Sequence, residues 1–183
     1  MNKIALAAAL LALATSASAQ LANKAYIGGA FGPSHLEADC GVLSCDSNDT
    51  GYKVYAGYKV HPQIAIEGGY IDFGKSNINV GSFGVGSIAV DGFLINAAFR
   101  HNFTRELNGV ARLGVATLDT KLSANVLGRS QTDSSTKLYF GLGAEYALQK
   151  NFKVTAGADF TSAEFQGDSG AVRLFSIGAQ YDF

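Results

Sequence analysis

The sequence predicts an all-β fold, an eight-stranded antiparallel up-and-down transmembrane β-barrel preceded by a cleavable signal peptide. Three observations carry this reading. The chain closes on Phe175-Ser-Ile-Gly-Ala-Gln-Tyr-Asp-Phe183, with apolar groups at every second position. Phe175, Ile177, Ala179, Tyr181 and Phe183 share one face, and Ser176, Gly178, Gln180 and Asp182 share the other, the pattern of a strand wetted on one side. Seven further segments alternate in the same way, joined by connections that are tight and long in strict succession. Finally, the first residues have the layout of an export signal.

In chain order, Met1-Asn-Lys3 is a short charged region, Ile4 to Ala14 an unbroken apolar run, and Ala17-Ser-Ala19 a small-residue cleavage site. Residues 1–19 therefore read as a secretory signal peptide and 20–183 as a single barrel domain. The apolar run is well short of the ~20 residues that a helical span needs, and no later stretch reaches that length. A membrane protein made from this chain must then be a barrel, since a closed sheet satisfies every backbone group in lipid.

Strands are expected near 24–32, 51–60, 64–74, 88–102, 109–121, 137–148, 152–162 and 171–183. His61-Pro-Gln63, Phe103 to Asn108 and Gln149-Lys-Asn151 are tight turns, whereas 33–50, 75–87, 122–136 and 163–170 are longer loops rich in Ser, Gly, Asn and Asp. Short turns on one rim and long loops on the other are the arrangement of outer-membrane barrels, with both termini on the periplasmic side. The expected location is the outer membrane of a Gram-negative bacterium, in contact with its lipid and lipopolysaccharide.

The outward positions are apolar: Phe93, Ile95, Ala97 and Phe99 in one strand, Leu138, Phe140, Leu142, Ala144 and Tyr146 in another. Phe73, Phe103, Phe152 and Phe183, near strand ends, are expected to form aromatic girdles. A soluble barrel would turn its apolar face inward around a ligand. Here Glu67, Arg100, Arg112, Glu145, Lys153 and Asp159 lie opposite the aromatic stripes and would line that greasy cavity at a large desolvation cost. Charge thus decides for lipid.

Counted from the tight turns, Glu67, Arg100, Arg112 and Glu145 fall at one level on four consecutive strands, roughly 10 Å into the barrel at ~3.3 Å per residue. Facing inward, two acids can pair with two guanidiniums in a lumen that side chains fill, with Tyr139 and Asn96 completing the hydrogen bonding. This predicts a plugged polar lumen rather than a catalytic site or an open pore. The nearest catalytic suspect is His101, because lipid A deacylase barrels of similar size use a His and a Ser on the outer face. The residue two positions on is Phe103, however, and no matched acid is evident.

Composition narrows the partners. With 14 Lys and Arg against 15 Asp and Glu and no basic cluster, nucleic acid is not expected. Cys40 and Cys45 lack His at ligand spacing, and an exported chain favours a disulfide closing a small loop. Asp46-x-Asn-x-Thr-Gly51 begins like a calcium loop but has Gly57 at its twelfth position, so it reads as a polar loop. Glu37, Asp39, Asp46 and Asp49 leave open a divalent cation shared with lipopolysaccharide phosphates. No cofactor is expected, and no metal site is assigned.

The stretch from Gly51 to Gly74, GYKVYAGYKVHPQIAIEGGYIDFG, resembles the second hairpin of the OmpA-like and OmpX-like small outer-membrane barrels. The resemblance extends over the chain through the signal peptide and the terminal Phe183. It implies a barrel domain without the peptidoglycan-binding domain of full-length relatives, and a terminal strand read by the barrel-assembly machinery through Phe175, Ile177, Tyr181 and Phe183. The expected function is non-enzymatic: envelope integrity, with loops presented for adhesion or for host or lipopolysaccharide contact. A small porin and a lipid-modifying enzyme are the alternatives.

Overall fold

The computed structural model describes residues 24–36, 45–46, 48–79, 85–124, 129–165 and 168–183. Its strands are β1 (Ala25–Leu36), β2 (Cys45–Asp46), β3 (Asn48–His61), β4 (Ile64–Asn79), β5 (Val85–Asn102), β6 (Leu107–Ala124), β7 (Arg129–Ala147), β8 (Phe152–Phe165) and β9 (Asp168–Asp182). Apart from the two-residue β2, which pairs with the upper end of β4, each strand pairs antiparallel with the next in the chain. The first and last strands pair as well, from Tyr26↔Asp182 to Leu36↔Val172, and this seam closes an eight-stranded barrel. Closure leaves no free edge in the paired band, the condition a sheet must meet in lipid.

Alternation builds the wall. Ile27, Phe31, Val54, Ile66, Phe93, Ile95, Leu113, Leu138, Leu142, Val154, Phe175 and Ile177 are all exposed on the outside. Phe93, Ile95 and Phe99 of β5 and Leu138, Phe140, Leu142 and Tyr146 of β7 are outward, as their parity predicts. Leaving so much aromatic and aliphatic surface bare would be a severe aggregation liability in water, whereas it is the normal exterior of a barrel in a bilayer.

Two expectations about this wall need correction. The predicted loops are largely strand: β4 and β5 pair as far as Asn79↔Val85, and β6 and β7 as far as Ala124↔Arg129. Ser, Asn and Gly read as loop by composition, yet a hairpin ladder is made by backbone groups and continues wherever the side chains find water on both faces. Phe73 is not a girdle residue. It is wholly buried, because Glu67 sets inward parity on β4 and Gly69, Ile71 and Phe73 follow it in.

The upper lumen is apolar, another departure from an interior expected to be polar throughout. Leu36, Ile71, Phe73, Val90, Leu94, Leu118, Tyr139, Val172 and Leu174 pack as one cluster toward the long-hairpin rim. A second cluster, with Tyr26, Tyr55, Ala65, Ala98 and Val110, lies toward the short-turn rim. Charge occupies the space between and below them.

Candidate functional site

The structure brings Glu67, Arg100, Arg112 and Glu145 together, all of them buried. Glu67 takes a hydrogen bond from the Tyr26 hydroxyl at 2.6 Å and ion-pairs with Arg112 Nε at 2.7 Å and Arg100 Nη2 at 3.2 Å. Arg100 bridges to Glu145 at 3.0 Å, and Lys153 reaches Glu145 at 3.3 Å. The guanidiniums also lie over tyrosine faces, Arg100 4.6 Å from the Tyr26 ring and Arg112 5.3 Å from the Tyr55 ring. Such faces attract cations without competing for the carboxylates.

Two further tiers flank this layer. Above it, Lys53 Nζ ion-pairs with Asp159 at 2.6 Å, and the Tyr139 hydroxyl donates to the same carboxylate. Below it, Asp182 accepts from Lys59 at 2.6 Å, Lys153 at 3.1 Å and Gln180 Nε2 at 2.7 Å. Taken together, the described lumen network holds five cations (Lys53, Lys59, Arg100, Arg112, Lys153) against four carboxylates (Glu67, Glu145, Asp159, Asp182). Mutual pairing is what makes such burial tolerable.

Asn96 does not complete the network. Its side-chain amide and Arg100 Nη1 are buried with no hydrogen-bond partner among the described residues, and Tyr139 serves Asp159 instead of the Glu67 layer. A cavity of about 10 Å³ lies among Lys53, Tyr55, Arg112, Glu145, Thr155 and Ser176. That is room for about one water, and the side chains around it fill the lumen at this level as they do in other eight-stranded barrels.

The remaining predicted residues are placed as follows. Phe175, Ile177, Tyr181 and Phe183 all project from the outer face. His101 is outward and exposed, with its ring edge-to-face on Phe103 at 5.1 Å. Cys40, Glu37 and Asp39 lie outside the described residues, as do the side chains of Cys45 and Asp46. Asp49 is occupied structurally: its carboxylate accepts the Thr50 N–H at 2.7 Å and the Lys75 N–H at 2.6 Å, bracing a break in the β4–β5 register beside Gly74, whose φ is 80°. At the upper edge of the outer wall, Lys121 ion-pairs with Asp91 at 2.7 Å.

Sequence reasoning puts Asp182 on the polar lumen face without naming its partners, and it missed Lys53 and Lys59 as members of the network. The available signal was parity: Lys53 alternates with the outward Tyr52 and Val54, and Asp182 shares a face with Gln180 and Ser176.

The family model described as outer membrane protein beta-barrel domain matches residues 5–183. The chain belongs to the outer membrane protein β-barrel family. Its location is therefore the Gram-negative outer membrane, in agreement with the exposed apolar wall. Outer membrane protein A of Escherichia fergusonii is 29% identical over 193 residues, covering 98% of this chain and 54% of the relative. The chain thus spans about half the length of the curated relatives it matches. Among solved structures, neisserial surface protein A superposes with a TM-score of 0.64 at 13% identity, covering 87% of this chain and 97% of the other. The Ail protein of Yersinia pestis gives 0.59 at 18% identity, covering 88% and 99%, and has also been solved in complex with the heparin analogue sucrose octasulfate. At these identities the likeness establishes the β-barrel fold that the family shares.

Proposed function

We propose that this chain is a non-enzymatic outer-membrane barrel with a plugged lumen that contributes to envelope integrity and presents its long hairpins for contact with surfaces, host molecules or lipopolysaccharide. One observation carries the plugged lumen. The Glu67–Arg100–Glu145 bridge, with Arg112 and Lys153 at its ends, lies beneath the Lys53–Asp159 pair and the apolar cluster of Ile71, Phe73, Leu94, Leu118 and Leu174. An ion entering from the long-hairpin rim would have to part that cluster before reaching the Glu67 layer. Purified barrel in planar bilayers is expected to give negligible single-channel conductance, and steady nanosiemens-scale steps would refute the plug.

The surface role rests on the length of the hairpins. β4 to β7 continue well past the last outward aromatic residues, carrying Ser, Thr and Asn. Ail, a barrel of the same fold, has been solved with a sulfated ligand, the heparin analogue sucrose octasulfate. Deletion of the gene, scored together for envelope permeability, adhesion and serum survival, separates this role from a purely mechanical one.

Residues 1–19 act in this reading as a cleaved signal peptide, and Phe175, Ile177, Tyr181 and Phe183 as the motif read by the assembly machinery. Both termini then lie in the periplasm, which protease accessibility in intact and permeabilised cells tests directly. A Cys40–Cys45 disulfide would close a small loop on the external rim.

A further inference from the structure

One layer of the lumen is thinly filled from one side. On β7, Glu145 sets inward parity and so places Gly143 toward the lumen, and on β8 Asp159 does the same for Gly157. The two glycines are register partners, and Gly157 pairs in turn with Ser176 of β9. From β3 and β6 come two long side chains, Lys53 and Arg112, which turn to Asp159 and Glu67. Where the glycines meet these long groups lies the cavity of about 10 Å³ described above.

Its lining holds donors with nothing to donate to. Thr155 and Ser176 are 8% and 6% exposed, and neither hydroxyl is hydrogen-bonded to a described residue. Arg112 commits Nε and Nη2 to Glu67 and leaves Nη1 without a described partner. Lys53 Nζ faces both oxygens of Asp159 and keeps one of its three N–H groups. Glu145 also lines the cavity, but its carboxylate is already covered, Oε1 by Arg100 and Oε2 by Lys153. The surplus of donors goes with a surplus of charge, five cations against four carboxylates in the described network. One uncompensated positive charge buried in this lumen is costly unless an anion accompanies it.

We infer that this cavity is a binding site for one monatomic anion, a chloride, held by the Thr155 and Ser176 hydroxyls and Arg112 Nη1. Chloride is only slightly larger than the water that such a space admits, whereas phosphate and sulfate, with several heavy atoms, do not fit. A water there would satisfy the hydroxyls and leave the surplus charge untouched; a halide answers both. The inference rests on the plugged lumen given under Proposed function, since an open pore would pass ions instead of keeping one. The anion then belongs to the plug, as the fifth negative charge among five positive ones.

The test refolds the purified full chain from urea in sodium chloride or in sodium methanesulfonate of equal ionic strength, and measures the unfolding equilibrium in each. In chloride, each tenfold rise in concentration above the dissociation constant is expected to lower the unfolding constant about tenfold, the slope of one ion released on unfolding. Methanesulfonate, too large for the cavity, is expected to give no such slope. Thr155→Val with Ser176→Ala keeps the shape and removes both hydroxyls, and is expected to weaken chloride about tenfold, the effect of losing one charge-assisted contact. Lys153→Met lies outside the cavity lining and leaves four cations against four carboxylates, and it is expected to weaken chloride by a similar factor. Barrel refolded in bromide and crystallised is expected to show one anomalous scattering peak beside Thr155 and Ser176. Equal stability in the two salts overturns the site, as does an undiminished chloride slope in either variant, or water density without an anomalous peak. A peak in a barrel that conducts would refute the plug and leave the anion site standing, and a sealed barrel without the peak would do the reverse.

Discussion

Glu67→Gln is the most informative single change in the lumen. The Glu67 carboxylate is 1% exposed and receives Tyr26, Arg112 and Arg100 at 2.6, 2.7 and 3.2 Å. Glutamine preserves the shape but removes the charge, leaving five lumen cations against three carboxylates, and turns one acceptor into an amide that points donors at guanidinium donors. Arg112 suffers most, because Glu67 is the carboxylate it ion-pairs with, whereas Arg100 keeps Glu145. Breaking a buried pair in this way costs ~3–5 kcal/mol, a large part of a typical total stability of ~5–15 kcal/mol. Urea unfolding of refolded barrel in vesicles, followed by circular dichroism because the chain has no Trp, measures the loss. Removing Arg112 as well, in Glu67→Gln with Arg112→Met, should recover ~1–3 kcal/mol, since the orphaned charge goes with it. A loss below ~1 kcal/mol for Glu67→Gln would refute the reasoning, for it would mean that water already screens the network.

Two more changes test the wall and the terminus. Leu142→Arg places a charge on the lipid face of β7, within the apolar stripe that runs from Leu138 to Tyr146, and is expected to destabilise by ~2–4 kcal/mol in the same unfolding assay, with a smaller effect nearer either rim. Deleting Phe183 is expected to lower the yield of barrel in the outer-membrane fraction more than it lowers the stability of the barrel that does assemble; equal yield would remove Phe183 from the assembly signal.

What was legible in the sequence follows the range of each physical rule. Outward Phe93 and Ile95 and inward Leu94 and Asn96 need only the two-residue period of one strand, and they are where that period puts them. Phe73 obeys the same period from Glu67, and was misplaced because its aromatic character was weighed above its parity. The Lys53–Asp159 pair is of another kind, since it joins residues 106 positions apart across a lumen whose levels depend on strand tilt and stagger. Counting from the tight turns brings Glu67, Arg100, Arg112 and Glu145 to one level but gives no sign that Lys153 spans from Glu145 to Asp182. Loop length was obscured for a different reason. Ser, Asn, Asp and Gly mark turns through backbone freedom, yet the same residues tolerate a backbone ladder, which β6 and β7 keep up to Ala124↔Arg129.

The lumen network also bears on time. Lys59–Asp182 joins residues 123 positions apart and Lys53–Asp159 joins residues 106 apart, while Arg112–Glu67 and Arg100–Glu145 each span 45. The first two connect β3 to β8 and β9, so they form after the seam between β1 and β9 has shut. During insertion their charges remain in contact with water, and they exchange it for one another when the last strand docks. Interactions that arise this late add little to the speed of folding and act mainly on the barrier to opening. The buried ions are thus a latch on a finished barrel, setting how long it stays closed more than how fast it is made.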